Sequence, residues 1–177
     1  MDPAVAPLFE QVLGPAFATL PAPVRALHRA QGERRHRGEV EVERGRTPLA
    51  RLCAWATRLP PAGHGPVRVD IDAAPDGERW TRRIGGRAMP SRLWREGDVL
   101  CERLGLATFG FRLEVIEQAI AWRVARVRVL GLPLPAAWFG GVGARESADG
   151  GRYRFDVRAA LPLAGLLVHY RGWLDVD

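Results

Sequence analysis

Three charged residues stand where charge is costly. Arg82 alternates in phase with Trp80 and Ile84, Glu102 with Leu100 and Leu104, and Glu146 with Val142 and Ala144. Residues two apart in a strand face the same side, so each charge belongs to an otherwise apolar face. Buried charge is strongly unfavourable unless paired. Such residues therefore either pair into an internal network that fixes strand register, or they form a site. As a site, Arg82 supplies the planar cation that meets a carboxylate or phosphate head group, and a buried Glu102 supplies an acid or base. On the last apolar stretch, Leu166, Val168, Tyr170 and Leu174 oppose Leu167, His169, Arg171 and Trp173. That mixture reads as a strand covered on both faces, and it adds His169 and Arg171 to the inward set. The expected ligand-binding residues are Trp80, Arg82, Glu102, Trp122, Glu146, His169 and Arg171.

Other chemistry is sparse. His28, His36, His64 and His169 have no metal-ligand neighbour at a matching spacing, and His36 lies in the cationic run ERRHR, so no metal site is expected. His64, in AGHGP, reads as a loop residue, and His28 as a core-edge residue beside Val24 and Leu27. There is no P-loop, G-x-S-x-G elbow, H-E-x-x-H or G-x-G-x-x-G, so no cofactor is expected. Cys53 and Cys101 lie far apart without C-x-x-C spacing and read as reduced, buried thiols of a cytoplasmic protein.

The elements that must position these residues are mostly strands. Leu8, Phe9, Val12, Leu13 and Phe17 recur at helical spacing until Pro15 interrupts them. A second helix follows Pro21-Ala22-Pro23 and stops near Gly32. Gly38–Arg44 alternates as a strand. Thr47-Pro48 starts a helix, with Thr as cap and Pro in the first turn. Its apolar stripe is Leu49, Leu52, Cys53, Ala56 and Leu59, with Trp55 beside it. From residue 66 the period is two almost throughout, with strands expected at 67–71, 80–84, 87–94, 99–104, 108–116, 120–130, 142–147, 152–161 and 166–174. Links such as Gly85-Gly86 and Asp149-Gly150-Gly151 allow only antiparallel hairpins. In 120–130 the apolar phase runs Ile120, Trp122, Val124 and then Val127, Val129, which predicts a β-bulge near Ala125.

The fold class is α+β, mainly antiparallel β: a strongly curved sheet or barrel of about ten strands, with N-terminal helices packed against it or plugging one end. A single domain spans 1–177, with a helical part carrying one strand in 1–60 and the sheet in 66–177. The segment LGLPLPAAWFGG (130–141) cannot be a central strand. It reads either as a buried loop covering an open end, or as a lid or membrane-touching loop anchored by Trp138 and Phe139.

The chain has 177 residues and a formal net charge of +6, and its 26 basic residues are all Arg. Arg mostly alternates with apolar residues among Asp and Glu, so no basic stripe or specific nucleic-acid partner is expected. No run reaches the ~20 apolar residues of a membrane span. The absence of Lys and Asn, with abundant Ala, Gly and Pro, reads as GC-rich codon usage rather than a dedicated anion-binding surface.

The stretches LGPAFATLPAPVRALH (13–28), VERG (42–45), LPPAG (59–63), ERWTRRIGGR (78–87), CERLG (101–105), GLPLP (131–135), ARES (144–147) and GRYRFDVRAALPLAGLLVHYRGWL (151–174) carry a resemblance. The chain resembles an uncharacterised bacterial domain-of-unknown-function family, number 4166 in that series. Its members stand alone or are fused to saccharopine-dehydrogenase-like domains. The resemblance implies a bacterial intracellular setting and a redox-enzyme partner, and assigns no catalytic residue. The residues themselves favour a binding module: a cavity lined by Trp80, Phe109, Phe111, Trp122, Tyr153 and Phe155 for a hydrophobic or amphipathic small molecule. Two alternatives stay open, an enzyme using buried Glu, Arg and His for acid–base chemistry, and an accessory domain docking on a dehydrogenase-like partner through 130–141.

Overall fold

Strand alternation with tight turns leaves a long antiparallel sheet two edges to protect, and closure removes both. In a computed structural model that describes residues 6–74 and 76–176, the sheet closes. The strands are β1 (Gly32–Arg44), β2 (Gly63–Ala74), β3 (Gly77–Ile84), β4 (Arg87–Glu96), β5 (Val99–Leu104), β6 (Ala107–Ile116), β7 (Ala119–Val129), β8 (Leu132–Leu134), β9 (Gly141–Asp149), β10 (Arg152–Leu161) and β11 (Gly165–Asp175). Their order is β6-β5-β4-β3-β2-β1-β11-β10-β9-β7, and β7 pairs back onto β6 to complete a ten-stranded barrel. β8 extends β7 past the end of β9.

Curvature is built in at two bulges. Gly110 faces Arg126 while Phe111 faces Val124, so Ala125 is the extra residue, as the phase slip predicts. Ala159 faces Val168 while Ala160 faces Leu166, which leaves Leu167 extra on β11. The second bulge corrects the reading of the last strand. Leu167 and Val168 are both buried because the phase slips there, not because the strand is covered on both faces.

β1 begins six residues earlier than the alternation at Gly38 suggests. The ERRHR run lacks an apolar face, but it pairs with β2 and gains the Arg35–Asp70 ion pair at 2.8 Å. His64 lies within β2 rather than in a loop.

The N-terminal helices plug one end of the barrel. They are α1 (Leu8–Leu13), a 3₁₀ turn (Gly14–Thr19) and α2 (Ala22–Arg29). Phe9, Phe17 and Val24 are fully buried there. At the opposite end, α3 (Pro48–Ala56) lies over the rim and packs on β11. Thr47 caps it by accepting from the Ala50 N–H at 3.1 Å. Its buried face matches the expected stripe only in part: Leu59 is buried and Cys53 and Ala56 are half-buried over the barrel interior. Ala50 and Ala54 are inside, and Leu49, Leu52 and Trp55 are exposed. The cause is close approach: a Cβ at Gly45 would overlap the Leu166 carbonyl and sit 3.1 Å from the Ala50 Cβ, so only small side chains fit beneath α3.

The β1–β11 seam is equally tight. A Cβ on Gly172 would overlap the Glu39 carbonyl and lie 2.8 Å from the Phe155 ring, and one on Gly38 would overlap the Trp173 carbonyl. These neighbours are backbone and core, which cannot move aside cheaply. Gly172→Ala is expected to lower stability by about 2 kcal/mol, read as the midpoint of denaturant unfolding. A loss below about 0.5 kcal/mol would mean that the seam can open.

Candidate ligand-binding cavity

Inward-facing positions of ten strands leave space that side chains do not fill. A cavity of about 360 Å³ runs inside the barrel towards the α3 end. Trp80, Phe109, Phe111, Trp122, Tyr153 and Phe155 all line it. Phe111 meets Trp122 edge-on at 5.2 Å between ring centroids, and Phe109 stacks on Phe111 at 5.7 Å. Its α3-side rim is apolar, with Cys53, Ala56, Leu104, Leu106, Leu134 and Phe139. Cys53 is half-buried rather than buried, whereas Cys101 is buried.

The polar groups lie deeper. Arg82 on β3 donates through Nη2 to Glu102 Oε1 on β5 at 3.1 Å and through Nη1 to Ser91 Oγ on β4 at 2.9 Å. The Arg82 side chain is 13% exposed and that of Glu102 is 7%. The guanidinium also sits 5.0 Å over the Trp80 ring, a cation–π contact that adds to its hold. Tyr153 and Tyr170 complete this end. Burial pushes the Tyr170 phenol up to about 12, with Arg82 opposing the rise. Burial, then the Glu146 charge, pushes the Tyr153 phenol well above its ordinary value. Both therefore stay protonated and can donate.

Behind these groups the plug contributes a second polar cluster. Glu146 on β9 bonds His28 Nε2 of α2 at 2.5 Å. The His28 ring stacks on Phe9 with centroids 3.6 Å apart. Glu78, at the start of β3, accepts from the Trp80 indole at 2.7 Å. Burial raises the Glu78 pKa, His28 and the Trp80 bond oppose this, and Glu146 adds to it. A raised carboxyl pKa favours the folded state fully below the unfolded value and progressively less as pH rises through the folded value. Glu78→Gln keeps the acceptor and removes the titration. The variant's stability should therefore fall less than that of the parent between pH 4.5 and neutrality. Equal pH slopes in urea unfolding would refute this.

Of the sequence-derived site residues, Trp80, Arg82, Glu102, Trp122 and Glu146 meet in the cavity lining. His169 and Arg171 do not. They lie on the outer wall, where His169 bonds Asp156 at 2.9 Å and Arg171 bridges Glu41 at 3.1 Å and Glu43 at 3.3 Å. Beyond the Leu167 bulge, Val168, Tyr170 and Leu174 take the inward phase and turn His169 and Arg171 outward. Arg171 lines a separate, open hollow of about 480 Å³ with Glu41 and Trp173. The buried polar residues that sequence reasoning misses include Ser91, Glu78 and His28. Glu78 shares the phase of Trp80 and Arg82, so the signal was present one step before the expected strand. His28 is not at the core edge but fully enclosed, and nothing local to α2 marks a partner on β9.

The 130–141 segment is neither wholly buried nor wholly free. Phe139 is buried and lines the cavity, whereas Leu130, Leu132 and Trp138 are exposed. Among the described residues, no helix is long and apolar enough to cross a membrane.

A family model described as "Domain of unknown function (DUF4166)" matches residues 20–174. No curated protein matches the chain. Among solved structures, that of Rv2717c from M. tuberculosis is similar at 13% identity, covering 88% of this chain and 97% of that one, with a TM-score of 0.44.

Proposed function

The chain belongs to the domain-of-unknown-function family DUF4166, and from that premise we propose that it is a binding module for a small, uncharged amphiphile. The supporting observation is an apolar cavity whose one buried cation among the described residues, Arg82, is already neutralised. Arg82 is bonded to Glu102, and Glu146 lies in the same lining. The second cation expected for an anionic head group, Arg171, is on the outer wall, and Arg158 touches the lining but is exposed. What remains deep in the cavity is a set of hydrogen-bonding groups without a free buried cation, including the protonated phenols of Tyr153 and Tyr170. That chemistry suits a hydroxyl, carbonyl or amide better than a carboxylate or phosphate. A volume of about 360 Å³ falls within the usual range for small-molecule sites.

Two measurements test this reading. Native mass spectrometry of protein purified from its own host should find a co-purified neutral amphiphile. Displacement of a fluorescent apolar probe should rank a long-chain alcohol above the fatty acid of equal length at neutral pH. Ala144→Phe, which fills the cavity from β9, should reduce both. Failure of any apolar probe to bind would end the proposal.

A further inference from the structure

The closed barrel separates features that look scattered along the chain. Every tight turn at the plugged end carries an acid: Asp76, Glu96 with Asp98, Glu117 and Asp149. The connections at the α3 end, residues 45–62, 85–86, 105–106, 130–140 and 162–164, contain no Asp or Glu. That end carries Arg46, Arg51, Arg58, Arg87, Arg103 and Arg128, all exposed. Among the described residues none of them forms an ion pair. On the barrel wall and at the plugged end many arginines are bridged, as in Arg123–Glu114, Arg145–Glu117 and Arg154–Asp149, although among the described residues Arg34, Arg37, Arg79, Arg95 and Arg112 are not.

The large exposed apolar residues gather at the same end. Leu52 and Trp55 on α3 join Leu106, Leu130, Trp138 and Leu163, with Trp55 71% and Leu163 97% exposed. They form one face because the backbone ties their segments together. The Leu106 N–H donates to the Ala56 carbonyl at 3.1 Å, and the Leu130 N–H to the Leu106 carbonyl at 3.0 Å. The Thr47 hydroxyl donates to the Ala164 carbonyl at 2.9 Å. α3 turns its alanines inward and its Leu and Trp outward, the reverse of a helix whose only task is to cover a core.

We propose that the α3 end docks on an anionic lipid bilayer. Trp and Leu tips enter the interface while the surrounding arginines meet lipid phosphates and anionic head groups. Net positive charge at this end and acids at the other orient the molecule in the field of such a surface. A protein partner is less favoured, because the connections at this end carry no acid to pattern a specific ionic interface and the apolar tips of Trp55 and Leu163 stand largely exposed. The apolar rim of the cavity faces this same end, so an amphiphile would exchange directly with the bilayer. Exchange rests on the cavity reading; docking does not.

Vesicle flotation of the full chain tests the docking. Binding is expected to phosphatidylcholine vesicles containing phosphatidylglycerol, and not to phosphatidylcholine alone. It should fall when salt rises from about 0.1 M to about 1 M, as the Debye length shrinks from about 10 Å to about 3 Å. Each arginine near the surface contributes about fivefold to partitioning, so Arg51→Glu with Arg103→Glu should weaken binding by at least about 25-fold. Trp55→Ser with Leu52→Ser should also weaken it, and Arg145→Glu at the plugged end should not. These substitutions are on the surface, and unchanged near-ultraviolet circular dichroism checks the fold. No flotation with anionic vesicles, undiminished binding of both double variants, or a self-associated chain that covers this face would overturn the inference. Probe displacement without vesicles reads the cavity separately, so either proposal can fail while the other stands.

Discussion

Glu102→Gln is expected to reverse the ligand preference of the cavity, from a long-chain alcohol to the matching fatty acid, by about tenfold or more. In the parent, Arg82 Nη2 meets Glu102 Oε1 at 3.1 Å and its Nη1 meets Ser91. Gln retains an acceptor for the first bond but removes the charge. Arg82 is then a buried cation without a counter-ion, and a ligand carboxylate can supply one. A charge-assisted hydrogen bond contributes about 1.5–3 kcal/mol, and about 1.4 kcal/mol already corresponds to tenfold. Displacement assays with the two ligands measure the change directly. Thermal unfolding provides a second readout, because a ligand that binds only the folded state raises the midpoint with its concentration. The fatty acid should therefore stabilise Glu102→Gln more than the parent. An unchanged ranking would mean that the ligand's polar end does not reach Arg82.

Arg82→Met should produce the largest loss of stability. Removing one partner of a buried ion pair typically costs about 3–5 kcal/mol, because the other charge stays buried. Here Glu102 would remain on β5 facing an apolar wall, and Ser91 would lose its donor. For a domain of this size each kcal/mol lowers the midpoint by about 2–4 °C, so a fall of about 10 °C is expected. Arg82→Met with Glu102→Leu should recover most of this, since an apolar replacement of both partners is often neutral or stabilising. The double variant should still bind an apolar probe but lose discrimination between alcohol and acid. Full recovery of stability with unaltered discrimination would assign the pair to register alone.

The two variants probe residues that were legible in the sequence for one reason. A strand has a strict period of two, so a charge in the apolar phase identifies itself: Arg82, Glu102 and Glu146 did so, and all three line the cavity. The same rule failed for His169 and Arg171 because a single extra residue, Leu167, reverses every side chain after it. On β7 the same kind of slip was readable, since the apolar residues on both sides of Ala125 show the change of phase. Around Leu167 the neighbours are all apolar, so the slip leaves no trace. His28 illustrates a different limit. Its partner Glu146 is 118 residues away, and no local pattern connects a plug helix to one strand of the wall.

By itself, the sequence determined the local geometry: ten alternating segments, their tight turns, the Thr47 cap and the breaks at proline. These depend on side-chain period and turn chemistry, which are properties of neighbouring residues. Tertiary structure decided which face of α3 points inward, which charges meet inside, and that β7 returns to β6. It also decided the meaning of the net charge. Arginines that alternate along separate strands look evenly spread, yet closure brings every second connection to one end. Six arginines without ion pairs and the large exposed Leu and Trp collect there, and the acidic turns collect at the other end. Long-range strand pairing sets that polarity, and no window of the sequence contains it.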